Sequence, residues 1–200
     1  MVLAAASVYG AFVHLTDPYI DSRYGGIPAS EADFAHLPQP LAVGLSLRED
    51  RFANGSAANV SLAMQLARNC SYPPLSMLKR ELLEVLVARR LRQRHSEHEL
   101  MSLYAHTVFL GHSGSNTVIG FESAARTYLN KSLSSITTGE AAWLAILPSR
   151  PNFYLNHPDR AREVRNELLS EMAKKKLIDA SDAALAEAEP VPSAPSARRR

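Results

Sequence analysis

The stretch "TTGEAAWLAILPSRP", Thr137 to Pro151, constrains the fold of this chain more than any other. Thr137 followed three residues later by Glu140 is a capping box that opens a helix, and Pro148 stops it. Between them Ala141 to Leu147 carries no polar residue on any side. Such a helix has no face to give to water, so it must be surrounded, with Trp143 in the core. Helical signals recur on either side. Ser96 with Glu99 is a second capping box, opening "SEHELMSLYAHTVFL", which Gly111 ends. Asn59 caps a helix over 60–70, and Tyr72-Pro73-Pro74 stops and restarts the chain. An amphipathic helix follows over about 75–94, with Leu75, Leu78, Leu82, Val85, Leu86 and Leu91 facing inward. "GFESAARTYLN" and "PDRAREVRNELLSEMAKKK" add two more helices, while alternating strand patterns are almost absent. The class is mainly α.

Residues 1–15 read as a buried helix that "DPYIDSRYGGIP" breaks. Residues 28–57 read as an irregular segment with at most one short element at "LAVGLSL", and 189–200 as a disordered basic tail. With 200 residues, 46% of them hydrophobic, residues 1–188 suffice for a single domain, with room for a small second lobe. Cys70 is the one cysteine, so no internal disulfide forms, and a buried, inert thiol is expected. The longest apolar run, "MVLAAASVYGAFV", is 13 residues and lacks the basic flank of a signal peptide, so the sequence given shows neither signal peptide nor membrane span.

Net charge is only +2, yet from Arg68 to Arg94 seven Lys or Arg face only Glu81 and Glu84, which marks this segment for an anion. On the helix before it, Ser61, Gln65 and Arg68 stand at i, i+4 and i+7, a polar stripe among Leu and Ala. "ARRLRQRH" has no interleaved aromatics and reads as one face of a packed helix, not as a nucleic-acid surface. His95 and His98 have ligand spacing but no third ligand, so no metal or other cofactor is evident.

Taken in order, the motifs resemble those of the peptidoglycan glycosyltransferases, the family that also forms the first domain of bifunctional penicillin-binding proteins. The block "GFESAARTYLNKSLSSITTGEAAWLAILPSRPNFY" tracks the family pattern most closely. "ANVSLAMQLARN" stands at the family's GGSTITQQ, keeping Met64, Gln65, Ala67 and Arg68, with Ser61 for the threonine. "RELLEVLVA" matches RKxxE, keeping Arg80, Glu84 and Ala88 but with Glu81 for the lysine. "SEHELMSLYAH" keeps Tyr104, and "REVRNELL" resembles RRxxVL with Arg165 in register. The first motif, EDxxFxxHxG, aligns with "AFVHLTDPYIDSRYGG": Asp17 and Gly25 match, Ile20 replaces the phenylalanine, Arg23 the histidine, and Thr16 the glutamate.

The resemblance implies a lysozyme-like helical glycosyltransferase domain at the bacterial cell envelope, on the outer face of the cytoplasmic membrane. It would join lipid-linked disaccharide-peptide precursors into a glycan strand. It admits a divalent cation, and a membrane surface and cell-wall synthesis proteins as further partners. The implied catalytic positions are Glu84, Asp17 and that of Thr16, and the implied substrate contacts are Ser61, Gln65, Arg68, Arg80 and Arg165. Threonine cannot act as the base, so the alternative is a catalytically impaired relative that binds glycan, lipid precursor or a cell-wall protein. Glu84 reads either as substrate-facing or as an i, i+4 ion pair with Arg80. Glu49, in "REDRF", is a rival carboxylate because Glu-Asp with a nearby Phe echoes the first motif. No carboxylate pair for a hydrolase can be placed.

Overall fold

The computed structural model describes residues 2–27, 37–53 and 58–192. Its contacts divide the chain into two compact units, 1–34 with 52–104 and 35–51 with 105–200. The architecture is mainly helical, as the sequence predicts.

The first unit is built from α1 (Val2–Tyr24), α3 (Ala58–Arg68) and α4 (Met77–Arg94), and includes most of α5 (Glu97–Thr107). Helix α1 is not broken at "DPYIDSRYGG" but runs through Pro18. Pro18 and His14, the residue whose carbonyl loses its helical partner, are both exposed, so water can serve that carbonyl. The following turns are held by tertiary contacts: Ile20 and Tyr24 are buried, and the Tyr24 hydroxyl donates to the Leu66 carbonyl at 2.7 Å. The Ser96–Glu99 capping box is present at the start of α5.

In α4 the inward face shares Leu91 with the apolar stripe predicted but otherwise differs from it. Leu83, Glu84, Val87, Ala88 and Leu91 are buried, whereas Leu78, Leu82 and Val85 are 77%, 61% and 52% exposed. Two interleaved stripes of similar spacing exist on this helix, and the one turned inward carries Glu84, with Arg90 at its edge paired to Asp17. Cys70 is buried as expected, and burial pushes its thiol up to about 11.

The second unit contains α2 (Gln39–Ala53), a hairpin of β1 (Phe109–Ser113) and β2 (Asn116–Ile119), and helices α6 (Phe121–Ala124), α7 (Thr138–Ile146), α8 (Pro151–Asn156), α9 (Pro158–Lys174) and α10 (Ala180–Ala188). Helix α2 corrects the irregular segment expected over 28–57; residues 28–36 and 54–57 lie outside those described. Its two prolines, at 38 and 40, lie at its start, and Leu41 and Leu45 are buried. Gly44 allows close approach: a Cβ there would lie 3.1 Å from the Ala145 Cβ. The hairpin, too, departs from the predicted helix "SEHELMSLYAHTVFL". Phe109 pairs with Ile119 but His112 with Thr117, so β1 carries one extra residue, and Gly111 at φ 109° absorbs it. The Leu110 carbonyl accepts the Tyr128 hydroxyl, and the His112 N–H donates to Asn152 Oδ1.

Helix α7 is the centre of this unit. Both halves of its capping box are present, residues 141–147 are buried, and Trp143 is fully buried, edge-on to Tyr128. Helices α9 and α10 pack on it. Arg165 of α9 is 1% exposed and donates to the carbonyls of Glu187 and Glu189 and to Asn166 Oδ1. It therefore fixes the end of α10, which corrects its assignment as a substrate contact: a guanidinium this buried cannot reach one. It also holds the carbonyl of Glu189, where the expected tail begins; residues 189–192 are described, and 193–200 lie outside the described residues.

Arg165→Ala should leave two carbonyls without their donor and lower unfolding free energy by about 3 kcal/mol. Urea unfolding followed by circular dichroism measures this; unchanged stability would contradict the anchoring role.

Candidate functional site

The residues that carry anionic chemistry gather in the first unit, on α3 and α4. Tyr72-Pro73-Pro74 separates the helices, so α4 turns back and packs against α3. Arg68, in the last turn of α3, and Arg80, in the first turns of α4, are exposed and converge on one carboxylate. Glu84, 7% exposed, receives Arg80 Nε on Oε1 at 2.9 Å and faces Arg68 Nε from Oε2 at 3.6 Å. The i, i+4 pair expected with Arg80 is thus present, and the second arginine is brought by tertiary packing. Two guanidiniums against one carboxylate leave a net charge of +1.

Tyr72 supports this group and went unnoticed in the sequence. Its hydroxyl donates to the Ala67 carbonyl at 2.7 Å, and its ring lies 6.0 Å from the Arg80 guanidinium carbon. Burial, with the neighbouring Cys70 and Glu84, raises its pKa far above the ordinary tyrosine value, so it stays neutral. Gln65 is half-buried on the same helix as Arg68. Ser61 and Glu49 lie on helices whose backbone is described, but their side chains fall outside the described residues.

The first-motif residues have other posts. Thr16 is fully buried, and its hydroxyl donates to the Phe12 carbonyl at 2.8 Å within its own helix. Asp17 is clamped by Arg90, Nε to Oδ1 at 2.7 Å and Nη2 to Oδ2 at 3.1 Å, with Arg94 Nη1 3.5 Å from Oδ1. Hydrogen bonding from Arg90, reinforced by its charge and that of Arg94, holds the Asp17 pKa below the ordinary value against the opposing effect of burial. Both oxygens of the carboxylate that the resemblance marks as catalytic thus serve arginines, which ties α1 to α4. Asp21 takes Arg94 at 2.8 Å. The acids at 17 and 21 and the arginines at 90 and 94 share a spacing of four, a matching ladder that could have been read from the sequence.

Among the described residues no three His, Cys, Asp or Glu side chains converge as a metal site. His95 lies 3.6 Å from Glu99, and burial lowers its pKa. Two arginines of "ARRLRQRH" are taken by Asp17 and Asp21, consistent with a packed helix.

A helical domain that holds a carboxylate between two arginines is the class defined so far. Residues 42–173 match the family described as Transglycosylase, and the chain belongs to that family, as its motifs and lysozyme-like helical class led one to expect. Penicillin-binding protein 1A of Pseudomonas aeruginosa is 28% identical over 203 aligned positions, covering 90% of this chain and 24% of the relative. Penicillin-binding protein 1F of Bacillus subtilis is 30% identical over 149 positions, covering 73% and 20%. The crystal structure of penicillin-binding protein 1A from Haemophilus influenzae is 29% identical, with a TM-score of 0.41, over 68% of this chain and 17% of that one. The chain therefore spans about a quarter or less of the length of these relatives.

The Asp17–Arg90 pair fixes a pH dependence. A carboxylate with a lowered folded-state pKa contributes stability that is present above its unfolded value, about 3.9, and is lost as pH falls through the folded value. Asp17→Asn should cost about 1 to 2 kcal/mol at neutral pH and progressively less below about pH 4. Urea unfolding of both proteins across this range tests it; a difference independent of pH would remove the ion pair as cause.

Proposed function

We propose that this chain is a divergent peptidoglycan glycosyltransferase module. It engages a lipid-linked disaccharide-peptide through its diphosphate at Arg68 and Arg80, beside Glu84, and extends a glycan strand slowly. The observation that supports this reading is Glu84 held between two exposed arginines at the family's motif positions. In the reaction a sugar 4-hydroxyl attacks the anomeric carbon, its proton passes to a base, and the lipid diphosphate departs. Exposed guanidiniums can turn from Glu84 to the phosphates and offset charge on the leaving oxygen. Glu84 is the described motif carboxylate nearest to these arginines, and any acid–base help falls to it.

The alternative, a catalytically impaired module that binds glycan, lipid precursor or a cell-wall protein, is favoured by the first motif. Thr16 has no proton to exchange near neutral pH, and Asp17 is committed to Arg90. Both Glu84 oxygens face guanidiniums, so these residues do not make a resident cation site; a divalent cation would enter with the diphosphate. By family, the setting is the outer face of the cytoplasmic membrane, with cell-wall synthesis proteins nearby. Among the described residues no helix is long and apolar enough to cross a membrane. Leu75, Met77, Leu78, Leu82 and Val85 are all exposed, which supports contact with a lipid surface.

A glycan-polymerisation assay decides between the readings. The native chain should turn over about 10² to 10⁴-fold more slowly than a relative retaining the first-motif glutamate. Glu84→Gln should abolish the remainder, and Glu49→Gln should leave it unchanged. Robust native activity lost in Glu49→Gln would instead place the first motif at "REDRF". Arg68→Ala and Arg80→Ala should each weaken binding of a lipid-linked diphosphate sugar by about 1.5 to 3 kcal/mol. The alignment alone suggests that Thr16→Glu restores a base, but full burial of Thr16 predicts destabilisation by about 2 kcal/mol or more. Differential scanning calorimetry reads this, and a folded, active Thr16→Glu would show that the position opens onto substrate.

A further inference from the structure

Helix α4 carries five arginines, and the acids around it divide them. Arg80 is held by Glu84, Arg90 by Asp17 and Arg94 by Asp21. Arg89 and Arg92 have neither an ion pair nor a hydrogen bond among the described residues, and both are exposed. They stand i, i+3 on the helix, where like charges repel, and no carboxylate among the described residues pairs with either. With Gln93 they border a groove of about 430 Å³ whose apolar lining is Met64 from α3 and Val85 and Ala88 from α4.

The position of this groove on the helix narrows what it would take. Leu78, Leu82, Val85, Arg89 and Arg92 fall at i, i+4, i+7, i+11 and i+14, a single stripe. Its first two positions, Leu78 and Leu82, are 77% and 61% exposed, and its last two are guanidiniums with no ion pair among the described residues. A soluble anion such as inorganic phosphate would satisfy the arginines but leave the apolar lining and Leu78 and Leu82 in water. A ligand with phosphate joined directly to hydrocarbon satisfies both, because long basic side chains keep their charge at the headgroup level while apolar neighbours enter the acyl region.

We infer that Arg89 and Arg92 form a binding site for the phosphate of an anionic phospholipid, whose first methylenes lie on Met64, Val85 and Ala88. The site seats α4 on the bilayer with Leu78 and Leu82 inserted. This rests on the reading, proposed above, that the protein works at a lipid surface, and it assigns to that surface two residues separate from the Arg68–Arg80 pair given to the substrate diphosphate.

Flotation of the full chain with phosphatidylcholine vesicles, with and without phosphatidylglycerol, tests the inference. Phosphatidylglycerol should strengthen binding, and added salt should weaken it. Arg89→Gln with Arg92→Gln should reduce the phosphatidylglycerol-dependent binding about fivefold per arginine, on the order of thirtyfold for the pair. Both side chains are exposed, so an unchanged far-ultraviolet spectrum is expected for the variant. Binding indifferent to phosphatidylglycerol, or equally dependent on it in the double variant, would overturn the inference. A short-chain, water-soluble lipid diphosphate sugar supplies the second arm: the Arg89/Arg92 variant should bind it as the native chain does. If that variant loses the soluble ligand in the same proportion as the vesicles, the two arginines belong to the substrate cradle and the phospholipid site is refuted. If Arg68→Ala and Arg80→Ala leave the soluble ligand bound, the proposed function fails while the vesicle result still decides the phospholipid site.

Discussion

A buried carboxylate must bring its counter-charges with it, because removing an ion from water costs several kcal/mol unless guanidiniums and hydrogen bonds replace the solvent. Glu84 is such a group, and the packing of α3 against α4 follows from it. Arg80 comes from one turn away on the same helix; Arg68 comes from another helix and arrives only if α3 ends beside the start of α4. The partly buried Asp17 is met in the same way from α1 by Arg90, with an exposed Asp21–Arg94 pair one turn on. The stripe of α4 that turns inward joins Leu83, Val87, Ala88 and Leu91 to the Glu84 carboxylate, while Leu78, Leu82 and Val85 stay exposed.

The second unit obeys a different constraint. Helix α7 has no polar side, so every neighbouring element is recruited to cover it, down to a glycine in α2 that lets two helix backbones approach. The hairpin bulge at Gly111 is accommodated by side chains of Tyr128 and Asn152. Arg165 completes the arrangement by tying the chain beyond α10 to α9. This unit holds the motif block that tracks the family pattern most closely, while the charged groups to which the proposed chemistry is assigned lie in the other. Evidence for the fold therefore leaves the activity to be argued from its own residues.

Much of the helical content was legible because it rests on local chemistry. The capping boxes at Ser96 and Thr137, the apolar run from Ala141 and the proline before α4 each act within a few residues. What escaped was decided at longer range. The sequence offers Pro18 as a helix breaker, yet Ile20 and Tyr24 are buried beyond it and hold the helix through. "LAVGLSL" has weak helical propensity, yet burial of Leu41 and Leu45 makes it one. The strands of the hairpin are short, and one contains a bulge, so their alternation is too brief to register.

At the candidate site the division is similar. Residue types and spacing by themselves determine that Arg80 and Glu84 share a helix face one turn apart, that Thr16 cannot serve as a base, and that the class is helical. Only the tertiary structure decides that Arg165 is a buried anchor, that Asp17 is taken by Arg90 and Arg68 brought to Glu84, and that Arg89 and Arg92 have no ion pair among the described residues. The reason is physical: spacing along one helix fixes which side chains share a face, but whether a charge is neutralised, buried or open depends on which other helix supplies the opposing charge, and that partner can be seventy residues away.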